Sequence, residues 1–181
     1  ITGRIGSEAY TTICGVPPSL VKLDHSGIGK SMTLKNRAHK KYPGESSDAL
    51  INGLGGTTNF RDISWQGFEA EDMIATIDLG KKQNVNSIEA RFLQDQVVWI
   101  FLPRKVEIEH SLDGQHFESI YEYYPNNDFS LKQDIFHYKV MPENLETRYI
   151  RVNGMNLSTC PDYHPGAGEP SWVFTDEIVI N

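Results

Sequence analysis

The sequence predicts an all-β protein with the architecture of a β-sandwich or jelly roll. Apolar residues alternate with polar ones in short segments, and turn-forming residues separate those segments. Apolar residues nowhere recur at the i, i+3, i+4, i+7 spacing of an amphipathic helix over three turns. Regularly spaced strands with turns between them are typical of sandwiches and jelly rolls, so no sizeable helix is expected.

Residues 1–24 fit the strand pattern less well than the rest of the chain. A Gly-Val-Pro-Pro segment at 15–18 interrupts them, and their register does not continue into the next strand. We interpret residues 1–24 as the tail of a preceding domain or a linker packed on this one, and residues 25–181 as one domain. Cys14 and Cys160 leave two readings open, a long-range bridge or two unpaired thiols.

The stretch D-H-S-G-I-G-K-S at 24–31 contains half of a phosphate-binding loop. The full pattern, G-x-x-x-x-G-K-[ST], requires a glycine where Asp24 stands, and a carboxylate there repels phosphate. We therefore predict a glycine-containing turn that opens a short strand.

Period-two alternation identifies the longer strands. Met73, Ala75, Ile77 and Leu79 alternate with more polar neighbours, and the residues at 80–82 are predicted to close that strand as a turn. An Asp-Gly pair at 113–114 suits a hairpin turn with positive φ. The other predicted strands are 88–92, 105–109, 119–124, 135–140, 147–152 and 173–180.

Charge and hydropathy exclude several classes of partner. The 181 residues carry 17 Lys and Arg against 24 Asp and Glu, a formal net charge of -7. That field repels nucleic acid and anionic lipid, so we expect neither a nucleic-acid partner nor membrane insertion. The longest apolar run, at 97–102, is far shorter than a membrane span.

Several motifs in order resemble the discoidin domain, also called the coagulation factor type C domain, over roughly residues 29–181. They are A-L-I-N-G at 49–53, I-S-W-Q-G-F at 63–68, I-D-L-G at 77–80, L-P-R-K-V-E-I at 102–108, S-L-D-G-Q-H-F at 111–117, Y-I-R-V at 149–152 and F-T-D-E-I-V-I at 174–180. The resemblance implies a discoidin-like jelly-roll β-sandwich, also described as galactose-binding-domain-like. It further implies a module similar to family-32 carbohydrate-binding modules.

Within that superfamily, the segments at 65–68, 92–95, 99–101 and 172–177 are most similar to the version on the C-terminal side of family-20 β-N-acetylhexosaminidases (chitobiases) of Bacteroidetes. The resemblance implies a non-catalytic accessory module attached in cis to the catalytic domain. The enzyme would be secreted to the periplasm or cell surface. In those enzymes the neighbour is a small β-domain, which accounts for residues 1–24. The expected partner is a glycan containing N-acetylglucosamine or galactose.

The resemblance also implies a structural Ca²⁺ ion between the loop at 49–58 and the last strand. Carried over residue by residue, its ligands are the backbone oxygen of Ala49, the side chain of Asn52, oxygens of Thr57 and Thr58, and the carboxylate of Glu177. Asn52 stands where the family usually has Asp, which removes one negative charge. The alternative is a metal-free loop held by amide hydrogen bonds.

Sugar binding requires an aromatic platform for the C–H face of a pyranose and a few polar groups for its hydroxyls. In the family such sites lie in loops at one end of the sandwich. The residues of these loops that combine aromatic and polar character are Asn59, Phe60, Arg61, Gln94, Asp95, Trp99, His164, Glu169 and Trp172. The alternative for the tryptophans is packing in the core or at its rim.

Asp176 and Glu177 are adjacent acids, as is the Asp-Glu pair on which family-20 catalysis rests. Neighbouring residues of a strand point to opposite faces, so the two carboxylates are not expected to converge on a substrate, and no catalysis is predicted. Two other functions stay open. A structural spacer would bury Trp99 and Trp172, whereas an adhesion module would expose the apolar run at 97–102.

Overall fold

The computed structural model describes residues 20–181. In this part of the chain the only helices are two single 3₁₀ turns, Ala49–Ile51 and Gln96–Val98. The strands are β1 (Val21–Lys22), β2 (Ser31–Leu34), β3 (Leu54–Gly55), β4 (Gln66–Glu69), β5 (Met73–Val85), β6 (Ile88–Gln94), β7 (Lys105–Ser111), β8 (Glu118–Tyr123), β9 (Asp134–Val140), β10 (Leu145–Met155) and β11 (Trp172–Ile180). No helix among these residues is long and apolar enough to cross a membrane.

Two antiparallel sheets pack face to face. One has five strands in the order β2-β5-β10-β7-β8, and the other has four in the order β4-β11-β6-β9. A short ribbon of β1 and β3 accompanies them. The predicted all-β sandwich is therefore confirmed, and every long strand that the alternation predicted is present.

The main core lies between the two sheets, where the period-two alternation places its apolar side chains. On β5 the residues Met73, Ala75, Ile77 and Leu79 are buried, and their neighbours are only partly buried. On β11 Val173, at the start of the strand, faces this core. Its neighbours Trp172 and Phe174 belong to a second cluster on the other side of the same sheet.

One turn prediction is wrong. The residues at 80–82 do not end β5, which continues to Val85 and keeps pairing with β10. Gly80 has φ +86°, and the register with β10 shifts between Thr147 and Tyr149 at the same level. Glycine therefore accommodates a bulge inside the strand, where the sequence indicated a turn between strands.

The N-terminal part of the described chain contacts the sandwich directly. Leu20 is buried, and β1 pairs with β3. Leu23 donates a backbone hydrogen bond to Gly53 at 2.8 Å. Residues 20–23 therefore pack on the sandwich. Most of the predicted 1–24 segment lies outside the described residues, and the division of the chain at residue 24 stays a prediction. Cys14 is also outside the described residues, so both readings of Cys14 and the buried Cys160 stay open.

Phe92→Ala is expected to lower the free energy of unfolding by about 3–5 kcal/mol, because it empties a fully buried position of the main core. Phe129→Ala is the matched control, since that ring is 53% exposed in a loop. Urea unfolding followed by tryptophan fluorescence measures both losses. Similar small losses for the two variants would contradict the placement of Phe92 in the core.

Candidate functional site

An aromatic-lined pocket of about 370 Å³ opens above the four-stranded sheet, and we call it the aromatic pocket. Its walls come from the chain between β2 and β4, the end of β4, the loop after β6 and the start of β11. The lining residues are Lys41, Tyr42, Phe60, Glu69, Val98, Trp99, Ile100, Trp172 and Phe174. Segments far apart in the chain therefore meet at one place.

The floor of the aromatic pocket is a second hydrophobic cluster, separate from the main core. It consists of Trp65, Leu93, Ile100, Trp172 and Phe174, with Tyr42, Phe60 and Ile135 packed against it. On β6 and β11 these side chains alternate with core residues, so the cluster covers the outer face of the four-stranded sheet. The outer face of the four-stranded sheet is therefore apolar at the base of the pocket.

Tyr42 is the centre of the aromatic packing. Its ring centroid lies 4.7 Å from that of Phe174, 5.5 Å from that of Trp172 and 6.1 Å from that of Phe60. The contacts with Trp172 and Phe60 are edge-to-face, which is a favoured geometry for aromatic rings. The rings therefore hold one another in place, and the shape of the pocket is largely preformed.

Trp99 presents the most accessible aromatic surface of the pocket, with 37% of the residue exposed. Its backbone is left-handed at φ 69°, a conformation that non-glycine residues rarely adopt. Two hydrogen bonds hold it there: its N–H donates to Gln96 and its carbonyl accepts from Trp172, both at 3.0 Å. The indole packs against Gly166, where a Cβ would lie 2.9 Å from the ring. A strained, half-exposed and immobilised tryptophan points to a role in binding.

The polar groups at the aromatic pocket are few. Glu69 lies at its edge, with its carboxylate 3.6 Å from the imidazole of His39. Lys41 also lines the pocket. The guanidinium of Arg61 stacks over the ring of Phe60, 4.3 Å from its centroid, just outside the pocket. Such charged groups give directional contacts to sugar hydroxyls.

The structure brings together only some of the predicted sugar-binding residues. Phe60, Trp99 and Trp172 line the aromatic pocket, and Arg61 lies beside it. Trp172 is 8% exposed, so it acts mainly as a support for the other rings. Asn59 organises its own loop, since its side-chain oxygen accepts the backbone N–H of Arg61 at 3.2 Å.

Four other predicted residues do not line the aromatic pocket. Gln94 and Asp95 are buried, and Asp95 accepts a hydrogen bond from Gln133 at 2.7 Å. His164 is also buried: its Nε2 donates to a backbone carbonyl at 2.8 Å while its Nδ1 accepts a backbone N–H. Glu169 is exposed in a turn. The site assignment as a whole stays a prediction.

Sequence reasoning missed Lys41, Tyr42, Glu69 and Val98. No residue of the segment at 38–42 is among the predicted sugar-binding residues. The available signal was Tyr42, an aromatic residue directly before a proline in that basic segment. A tyrosine at such a position is a candidate pocket residue, because its ring can pack on apolar groups while its hydroxyl stays in a polar environment.

The expectation that Asp176 and Glu177 point to opposite faces of β11 is wrong. The register with β6 shifts between Thr175 and Ile178, so both acids lie opposite Arg91 in a β-bulge. The neighbours of Arg91 on β6 belong to the main core, so Arg91 and both carboxylates face the outer side of the sheet. Both acids are fully buried beneath the loop at 52–57, where no substrate reaches them.

Asp176 fixes one end of that loop. Its Oδ2 accepts the N–H of Gly56 at 2.7 Å and lies 3.3 Å from Nη1 of Arg91. Burial raises the pKa of Asp176 to about 7, while the Arg91 guanidinium opposes that shift. Gly55 is required here, since a Cβ would lie 1.8 Å from Arg91 Nη1. The loop therefore packs directly on a buried acid–guanidinium pair.

Glu177 fixes the other end. One oxygen accepts the N–H of Gly53 at 3.1 Å, and the other accepts that of Leu54 at 3.3 Å. The buried imidazole of His25 lies 2.7 Å from the same carboxylate. Because Nδ1 of His25 accepts the N–H of Gly27 at 3.2 Å, Nε2 carries the proton and donates to Glu177.

The residues predicted to hold Ca²⁺ do not fit that ion as the structure arranges them. Three N–H donors point at the carboxylate of Glu177. The side-chain oxygen of Asn52 accepts a backbone N–H at 2.9 Å, and the hydroxyl of Thr57 donates to a neighbouring carboxylate. Ala49 lies in a buried 3₁₀ turn and Thr58 is exposed. Calcium binding stays a prediction, and the observed contacts are those of a loop held by amide hydrogen bonds.

The chain matches the F5/8 type C domain over residues 33–172. No curated protein matches it. Among solved structures, a chitosan-binding module of a chitosanase/glucanase from Paenibacillus sp. IK-5 has a TM-score of 0.54 at 12% identity, covering 87% of this chain and 98% of its own.

Two further solved structures are similar. A family-32 carbohydrate-binding module produced by Clostridium perfringens, in complex with glcNAc-alpha-1,4-galactose, has a TM-score of 0.54 at 14% identity, covering 91% of this chain and 96% of its own. A Ruminococcus gnavus GH29 fucosidase in complex with fucose has a TM-score of 0.56 at 11% identity, covering 87% of this chain and 26% of its own. At such identities the likeness establishes the fold alone.

His25→Ala is expected to destabilise the domain by about 2–3 kcal/mol, because it removes a donor from a buried carboxylate. His137→Ala is the matched control: that imidazole also lies 2.7 Å from a glutamate, Glu89, but it is half exposed. The control should lose no more than about 0.5 kcal/mol. Urea unfolding measures both.

Urea unfolding also tests whether the loop at 49–58 binds Ca²⁺. Millimolar CaCl₂ and EDTA are each expected to leave the unfolding midpoint of the unsubstituted protein unchanged, because the chain's own donors occupy Glu177. A midpoint that rises with Ca²⁺ concentration would mean that the ion displaces these donors, and it would restore calcium as the ligand of this loop.

Proposed function

Since the chain belongs to the F5/8 type C domain family, we propose that it is a non-catalytic carbohydrate-binding module whose site is the aromatic pocket. The observation that carries the proposal is Trp99, held half-exposed beside Tyr42 and Phe60 in a preformed pocket. Similarity in fold to a chitosan-binding module and to a module in complex with glcNAc-alpha-1,4-galactose supports the same function.

The chemistry of the aromatic pocket suits a sugar ring. The C–H face of a pyranose is apolar and stacks on an indole, while its hydroxyls require charged or amide groups at the edge. Trp99 supplies the platform, and Glu69, Lys41 and Arg61 surround it. A pocket of about 370 Å³ accommodates one or two rings, so the affinity is expected to be in the millimolar range.

We further propose that the module serves a secreted, periplasmic or cell-surface β-N-acetylhexosaminidase of the chitobiase type, attached in cis. The support is the similarity of its motifs to the modules appended to those enzymes, including W-Q-G-F at 65–68. Attachment makes weak binding useful because it raises the concentration of substrate near the catalytic domain. The glycan would contain N-acetylglucosamine or galactose.

A structural spacer is the second candidate, and the burial of Trp172 favours it. Such a module would pack on the catalytic domain without binding sugar. The exposure of Trp99 weighs against it, since a spacer that only packs would bury that ring. Adhesion to lipid or protein is a third candidate, supported by Val97, which is 62% exposed next to the aromatic pocket.

The test is a titration of the isolated chain with N-acetylglucosamine, galactose and N-acetyllactosamine, followed by protein NMR. Saturable shifts are expected at the indole N–H of Trp99 and at residues around it, with dissociation constants near 1 mM, as expected of a shallow site. Trp99→Gly suits the left-handed backbone and removes the side chain, so it should weaken binding at least tenfold while the domain stays folded.

Tyr124→Ala is the matched control, since that ring is 67% exposed away from the aromatic pocket and its removal should not change binding. Absence of shifts with every sugar up to about 10 mM, a concentration that reveals millimolar sites, would favour the spacer. Binding by Trp99→Gly as strong as that of the unsubstituted chain would place the site elsewhere.

A further inference from the structure

The positive charge of this acidic protein is concentrated beside the aromatic pocket. The seven residues at 35–41 include Lys35, Arg37, Lys40 and Lys41 and no acidic residue. None of these four forms an ion pair with a carboxylate among the described residues, and neither does Arg61. Elsewhere most cations are paired, namely Lys82, Arg91, Lys105, Lys132, Lys139, Arg148 and Arg151. The local field is therefore opposite in sign to the net charge of -7.

Three of these cations, Arg37, Lys41 and Arg61, line adjoining depressions that we together call the furrow. The aromatic pocket shares Lys41 and Tyr42 with a second depression of about 410 Å³, which Arg61 also lines. That depression shares Pro43 with a third, of about 630 Å³, which is lined by Arg37. The furrow thus leads from the aromatic platform past three unpaired cations.

The acidic groups in the furrow do not neutralise these cations. Glu69 lies 3.6 Å from the imidazole of His39. Asp62 is 8% exposed, and its oxygens accept hydrogen bonds from Thr57 and Asn59. Glu45 lies at the far end, in the third depression. Lys41 and Arg61 are therefore left with no protein partner of opposite charge.

We propose that the furrow binds an acidic glycan, with a neutral ring in the aromatic pocket and a carboxylate or sulfate on the next sugar contacted by Lys41 and Arg61. The inference rests on the proposed function, because it assigns the ligand class of the same site. Hydrogen bonds between ionised partners are about twice as strong as neutral ones, and a guanidinium receives carboxylate or sulfate in bidentate fashion. The acidic remainder of the surface repels the same glycan, which confines it to the furrow.

The experiment compares three probes by NMR titration in 50 mM NaCl: N-acetylglucosamine, N-acetylglucosamine 6-sulfate and the disaccharide of glucuronic acid and N-acetylglucosamine. At least one acidic probe is expected to bind tenfold or more tightly than the neutral sugar. The preferred probe identifies sulfate or carboxylate as the source of the charge. In 300 mM NaCl the advantage of the acidic probe should shrink several-fold, because exposed charges are screened.

Lys41→Met and Arg61→Met retain the long apolar stem and remove the charge, so each should reduce the ratio of acidic to neutral affinity towards one. Lys81→Met is the matched control, since Lys81 is an exposed lysine on β5 and the ratio should stay unchanged. A ratio that survives both furrow variants overturns the proposal.

The remaining outcomes separate this inference from the proposed function. Equal binding of neutral and acidic sugars overturns the inference and leaves the carbohydrate-binding function in place. Absence of binding by all three probes overturns both. Binding of a single-stranded oligonucleotide as tight as that of the acidic sugars, and equally sensitive to Lys41→Met, would mark a general polyanion surface and overturn the glycan assignment.

Discussion

The β-bulge in β11 is the constraint on which the candidate site depends. By placing two residues opposite Arg91, it turns Asp176 and Glu177 to the same outer face of the sheet. Two carboxylates buried side by side require several donors, and the backbone N–H groups of the loop at 52–57 supply them. The loop is consequently fixed by the sheet, although it contains only two residues of regular structure, Leu54 and Gly55.

The anchored loop in turn positions the aromatic residues. The carbonyl of Thr57 accepts the indole N–H of Trp65 at 3.0 Å, which fixes a large ring at the base of the second cluster. Phe60 follows a few residues later and packs against Tyr42. His25 adds a third donor to Glu177 from the N-terminal side of the domain. The aromatic platform therefore rests on a polar network beneath the loop as well as on the packing of its own rings.

Much of the fold follows from local pattern. Period-two alternation located the long strands because each strand has one face on the main core. It missed β4, which contributes the buried Gln66 and Gly67 and has no clear alternation. It also placed a turn at Gly80, because a glycine between polar residues has the same appearance at a bulge as at a turn. For the site, Phe60, Trp99 and Trp172 were predictable as aromatic residues in loops. Gln94, Asp95 and His164 proved to be buried, and the side chains of Asp95 and His164 form hydrogen bonds inside the protein.

The sequence by itself determined the sandwich, its long strands and the presence of aromatic residues between them, because these depend on spacing along the chain. Only the tertiary structure decided which aromatic residues meet, since Tyr42, Phe60, Trp99 and Trp172 come from separate segments. It also decided that Asp176 and Glu177 face the same way, because a bulge appears only when one strand is paired with another. The physical reason is that alternation reports which face of a strand is buried, whereas cross-strand register and loop packing depend on partners distant in sequence.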